Sequence, residues 1–206
     1  MRPSDIYLVI EDYSGRKPTT ICRLHSACAP DKNRHFACGC EKSTYPVIDF
    51  DNVKYMHDKL PGKAVRKSVD ALAVTPSESY LCFIELKSWQ MLLDNYGTEA
   101  KIKHQAKGYE TSLPKKLTDN IEICKEITGD PESMTDCDIL YALVTDISIE
   151  EDGFKTFVSD MTELMETSFN LSQLCNSLSR EIMENIPDIQ THYWECRNFD
   201  ASISNL

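Results

Sequence analysis

Apolar and polar residues alternate along Ile6 to Ile10 and again along Thr19 to Leu24, either side of Ser14-Gly15-Arg16-Lys17-Pro18, which predicts a hairpin. Val53, Met56 and Leu60 then recur at helical spacing, with Asp51 or Asn52 available as a cap and Pro61-Gly62 as a stop. Two strands are expected next, Val65 to Val74 and Tyr80 to Lys87, joined through Thr75 to Ser79. Trp89 to Tyr96 and Glu99 to Ser112 read as helices broken at Gly97, and Lys115 to Ile127 as a third stopped by Gly129. Asp138 to Asp146 is a continuous apolar run, the pattern of a strand buried on both faces. Phe157, Met161, Leu164, Leu171, Leu174, Leu178 and Ile182 give Phe154 to Ile186 the period of one long amphipathic helix or two. A last strand falls at Ile189 to Arg197. The order of elements predicts an α/β domain, a mixed central sheet flanked by helices.

A length of 206 residues suits one domain, and 41% hydrophobic with 27% charged residues is a folded rather than a disordered composition. No apolar run approaches the ~20 residues of a membrane-spanning helix, and Met1 to Ile10 lacks the pattern of a signal peptide. Nine cysteines, five of them (Cys82, Cys124, Cys137, Cys175, Cys196) scattered singly among apolar segments, point to a reducing compartment, so a cytoplasmic protein without a membrane partner is expected. The net charge of -11 is unevenly spread: residues 1–118 carry 18 Lys and Arg against 14 Asp and Glu, and residues 119–206 carry 4 against 19. Basic residues gather at Arg16 to Lys42, Lys59 to Lys67 and Lys101 to Lys116, where local positive surface could meet phosphate. The acidic remainder is expected to face solvent, a partner protein or a second copy of the chain.

The chemistry concentrates on the second pair of strands. Asp70 and Glu85 are equidistant from the centre of the Thr75 to Tyr80 turn, so a simple antiparallel hairpin sets them opposite each other. Glu85 and Lys87 share a face because strand side chains alternate, while Leu86 points the other way. Two carboxylates in a half-buried sheet call for neutralisation, and a hard cation such as Mg2+ or Mn2+ with oxygen ligands provides it. Such an ion lowers the pKa of a bound water and stabilises charge developing on a phosphodiester, with Lys87 placed to orient or deprotonate that water.

Asp70, a gap of 14 residues and Glu85-Leu86-Lys87 resemble the core motif of the PD-(D/E)XK nuclease superfamily. Gln105-Ala-Lys-Gly-Tyr109, on the helix after the motif strands, is similar to the Gln-x-x-x-Tyr motif of its RecB-like branch. The superfamily's proline is replaced by Val69. The resemblance covers about Asp51 to Asp146 and implies a restriction-endonuclease-like sheet with Asp70, Glu85 and the Leu86 carbonyl as metal ligands. It further implies that Lys87 assists the water, that Gln105 and Tyr109 position the DNA backbone or the active-site groups, and that His57 on the preceding helix joins the site.

Cys22, Cys28, Cys38 and Cys40, with His25 and His35 between them, lie in a loop-rich stretch poor in core-forming residues. A structural Zn2+ would organise it, but the spacing matches no common finger, and partly buried free thiols or an iron–sulfur cluster are alternatives. The chain is thus expected to divide into an N-terminal hairpin with a Cys/His-rich elaboration (residues 1–48) and a nuclease core with an acidic helical C-terminal part (residues 49–206). The expected function is metal-dependent hydrolysis of DNA in repair, restriction or defence against foreign DNA. The alternatives are a non-catalytic binding or assembly subunit with a zinc-stabilised interaction module, and cleavage of RNA.

Overall fold

The computed structural model describes residues 1–24, 43–89, 93, 98–147, 163–186 and 189–206, with side chains left aside at 163–170. In chain order the elements are α1 (Pro3–Ser14), α2 (Ile21–Leu24), β1 (Ile48–Asp49), α3 (Phe50–Asp58), β2 (Ala71–Val74) and β3 (Leu81–Lys87). There follow α4 (Glu99–Thr128), β4 (Ile139–Thr145), α5 (Glu163–Glu184), β5 (Gln190–Glu195), a 3-10 turn (Cys196–Asn198) and α6 (Phe199–Ser204). The strands form one mixed sheet in the order β1-β2-β3-β4-β5. β1, β2 and β3 pair antiparallel, and β3, β4 and β5 pair parallel, with α4 and α5 as the crossovers. The fold is therefore α/β with a mixed sheet flanked by helices.

Both faces of the sheet are covered, as the continuous apolar runs of β3 and β4 require. On one face Leu72, Phe83, Tyr141 and Leu143 pack with Ile6 and Ile10 of α1, Leu113, Leu117 and Ile123 of α4, and Ile182 and Met183 of α5. On the other, Ala71, Cys82, Ile84, Leu86, Ala142 and Val144 meet Ile21 of α2, Trp194 of β5, and Phe199 and Ile203 of α6. A third cluster, Trp89, Ile102, Ile147 and Cys175, closes the gap between the N-terminal half of α4 and α5. Among the described residues no helix is long and apolar enough to cross a membrane.

The structure departs from several of these expectations. The N-terminal hairpin is instead the helix α1, with Ile6 and Ile10 wholly buried and Leu8 and Val9 turned outward. The alternation expected of Ile6 to Ile10 is also corrected, since Ile-Tyr-Leu-Val-Ile holds no charged or amide residue to set a period of two; Pro3 in the first turn and left-handed Gly15 at the end (φ +61°) mark it as a helix. The cap of α3 is Asp49, whose side chain accepts from the Asn52 amide at 3.0 Å, while Asp51 accepts from the Ser68 hydroxyl. α4 runs unbroken for 30 residues through Pro114, because Leu113 and Leu117 bury on the same stripe as Ala106 and Ile123.

The strand expected from Val65 begins only at Ala71, and residues 63–70 lie along α4. Side chains of α4 take up their backbone: the Lys67 amide donates to Asp119 at 2.9 Å and the Val69 amide to the fully buried Asn120 at 3.3 Å. Farther along α4, Glu126 collects His57 Nε2 at 2.9 Å, Lys63 Nζ at 2.6 Å and Arg66 at 2.5 Å. Arg66 and Lys63 hold the Glu126 carboxyl down at about 2, with His57 adding to the effect. A lowered carboxylate pKa gives stability that is full above the unfolded value and is lost as pH falls through the folded one. Glu126→Gln is therefore expected to destabilise the protein by about 1–3 kcal/mol at neutral pH in urea denaturation. The gap to wild type should close as pH falls from about 5 towards 2.

Candidate active site

Asp70 extends the ladder just ahead of β2: its backbone amide donates to the Ile84 carbonyl at 3.1 Å and its side-chain Oδ2 accepts from the Leu86 amide at 2.6 Å. The register Ala71↔Ile84, Leu72↔Phe83, Ala73↔Cys82, Val74↔Leu81 is the mirrored pairing that the turn predicts. Glu85 therefore comes beside Asp70 on the helix-covered face of β3, and Leu86 turns to the opposite core.

Glu85 has no exposed surface. A bare carboxylate there would be prohibitively costly, and two ammonium groups make it tolerable. Lys87 Nζ lies 2.5 Å from Glu85 Oε1, and Lys116 Nζ, from α4, lies 2.7 Å from Oε1 and 2.8 Å from Oε2. Tyr109, also on α4, covers Lys87, its ring centroid 5.1 Å from Nζ, and packs edge-on against Trp89 at 5.5 Å. Trp89 in turn donates from Nε1 to the Ser179 hydroxyl of α5 at 2.9 Å. The site thus sits where the C-terminal end of β3 meets α4, with a wall shared with α5.

The electrostatics follow from that crowding. Burial, and then the neighbouring Glu85 charge, push the Asp70 carboxyl up to about 6, against the Leu86 amide, Lys116 and Lys87. Burial lowers Lys87, but the Glu85 carboxylate outweighs it, so the ammonium stands above its ordinary value. Lys87 in this arrangement is a fixed cation rather than a base poised near neutrality. The Tyr141 hydroxyl on β4 is buried, has no hydrogen-bond partner among the described residues, and is held well above 10 by burial and by the charges of Glu85 and Asp70.

Of the residues singled out by the sequence, Asp70, Glu85, Leu86, Lys87 and Tyr109 are brought together. Gln105 lies one turn before Tyr109 on α4 and is exposed. His57 is not in the cluster. It is buried against Glu126, ten residues beyond Lys116 and hence about 15 Å along the α4 axis. Leu86 meets Asp70 through its amide. Cys28, Cys38 and Cys40 lie outside the described residues, and Cys22 on α2 is half-buried. Among the described residues no group of three or more His, Cys, Asp and Glu side chains is assembled for a metal. Lys116 is the residue that sequence reasoning missed. Its signal was the stripe Tyr109, Leu113, Lys116, Asn120 on one helix face.

No family model, curated protein or solved structure matches this chain. The functional reading therefore stands on the residues.

Asp70 yields a measurable pH dependence. Its folded pKa of about 6 exceeds the ordinary 3.8, so the folded state holds the proton more tightly. The associated stability is full below the unfolded value and is lost as pH rises through 6. In chelator, wild type should lose on the order of 2–3 kcal/mol relative to Asp70→Asn between about pH 4 and pH 7, read by urea denaturation.

Proposed function

We propose that this protein is a divalent-metal-dependent nuclease of the PD-(D/E)XK kind, hydrolysing DNA phosphodiester bonds. The observation that carries the reading is the pairing of Asp70 with buried Glu85, with Lys87 on the same face of β3. The order of elements supports it: antiparallel strands bearing the three residues, a helix bearing Gln105 and Tyr109, then a parallel strand.

The donor set fits Mg2+ or Mn2+. Asp70 and Glu85 offer hard oxygen ligands, and burial makes their paired charge costly without a cation. Asp70 and Glu85 would hold the ion; when bound, it supplies Lewis-acid charge to the phosphodiester in its transition state. The chain's own groups do the remainder. Lys87, kept protonated by Glu85, donates to the attacking water or to a phosphoryl oxygen on which charge accumulates. Tyr109 and Trp89 restrict the sweep of the Lys87 side chain, which fixes that donor. Gln105, exposed one turn away, is placed to touch the nucleic-acid backbone.

One observation favours a second reading. Glu85 is already matched by Lys87 and Lys116, and such an ion cluster satisfies the sheet without any metal. The protein would then be a non-catalytic subunit that binds or assembles through this fold.

Incubation with linear and circular, single- and double-stranded DNA in Mg2+ or Mn2+ separates the two. Metal-dependent cutting is expected, and Glu85→Ala and Lys87→Ala should each lower it by at least about a hundredfold. Equal cutting by the variants, or none by wild type, would leave the non-catalytic reading. An RNA substrate in parallel tests the choice of DNA.

A further inference from the structure

Lys116 closes both oxygens of Glu85 in a two-pronged contact, at 2.7 and 2.8 Å, the contact a dication would make with that carboxylate. Lys87 holds Oε1 from the other side at 2.5 Å. A dication reaching Glu85 must therefore displace an ammonium.

The two lysines differ in their freedom. Lys87 stands two residues from Glu85 on the same strand and lies against the Tyr109 ring. Lys116 instead reaches across from α4; its side chain is one-fifth exposed, as is that of Lys87, so its tip has solvent to move into, and what sets it apart is that it is anchored on another element. Its backbone cannot follow, because the Lys116 carbonyl is taken by the Asn120 side chain, which also holds the Val69 amide beside Asp70. The hinge is the side chain alone.

We propose that Lys116 is a built-in counter-ion: it fills the cation position on Glu85, yields it to a dication, and then faces the anionic oxygen of a phosphodiester. The inference rests on the metal-dependent reading above. With Asp70, Glu85, Lys87 and Lys116 all ionised the cluster is neutral, so an incoming dication leaves it doubly positive. A phosphodiester anion beside the released ammonium removes part of that excess. Metal and nucleic-acid backbone therefore bind better together than either does alone, and the ammonium keeps metal affinity low until the backbone arrives.

Titration of the full chain with Mn2+ alone, followed by the electron paramagnetic resonance of free Mn2+, reads this directly. Lys116→Met should bind Mn2+ at least about tenfold more tightly than wild type, the effect of removing a unit charge roughly 6 Å from a dication even at the dielectric of water. Lys116→Arg should keep the wild-type affinity. Lys116→Gln, which retains an N–H donor for Glu85 without the charge, should show the same tightening and serves if the Met variant fails to fold. If wild type binds Mn2+ and the uncharged variants bind no more tightly, the counter-ion role is overturned and the metal-dependent reading survives. If no form binds Mn2+, both are overturned.

Discussion

A carboxylate without solvent is the constraint around which this molecule is arranged. Glu85 sits in the middle of a sheet covered on both faces, and its charge persists only because two ammonium groups reach it. One comes from its own strand and one from α4, so the long helix must lie at a fixed height and rotation over β3. That requirement explains much of the local architecture: Leu113 and Leu117 seat the helix, Asn120 ties it to the entry of β2, and Tyr109 covers the second lysine. The charged cluster and the apolar core specify one another.

Packing and electrostatics answer different questions here. The apolar stripes of α1, α4 and α5 supply the driving force, which grows with the area they remove from water. The polar cluster adds little net stability, since its desolvation offsets its attraction. Its contribution is to select one register. Sliding β3 by one residue would turn Glu85 into the apolar face with Leu86's neighbours and leave both lysines unpaired. The hub at Glu126 performs a similar task at the far end of α4, drawing Lys63 and Arg66 out of what otherwise reads as a basic patch.

The hairpin of β2 and β3 was legible because a short turn fixes antiparallel register by arithmetic, and Asp70 faces Glu85 where the count puts it. The long apolar runs of β3 and β4 were legible for a similar reason, since few structures other than a doubly covered strand accept them. α1 was not, because a stretch without charged or amide residues carries no period and the evidence lay in Pro3 and Gly15 at its ends. Lys116 was hidden by an error one step earlier. Dividing α4 between Ser112 and Lys115 severs the phase between Tyr109 and Lys116; on a continuous helix they fall on one side, two turns apart. That His57 lies apart from the cluster was not legible either, because position on a helix says nothing about which acid it will find, and Glu126 stands at the far end of α4.

The Asp70 side chain has two employers. It stands in the charged cluster, and it also completes the backbone ladder by receiving the Leu86 amide just ahead of β2. The two duties would part company over evolutionary time. In a descendant, Glu85 and its two lysines could drift together to apolar side chains of similar volume with little loss of stability. Asp70 would persist, held by the strand end it closes. Among relatives of this chain, an aspartate at that position is then a record of architecture, whether or not the lysines remain.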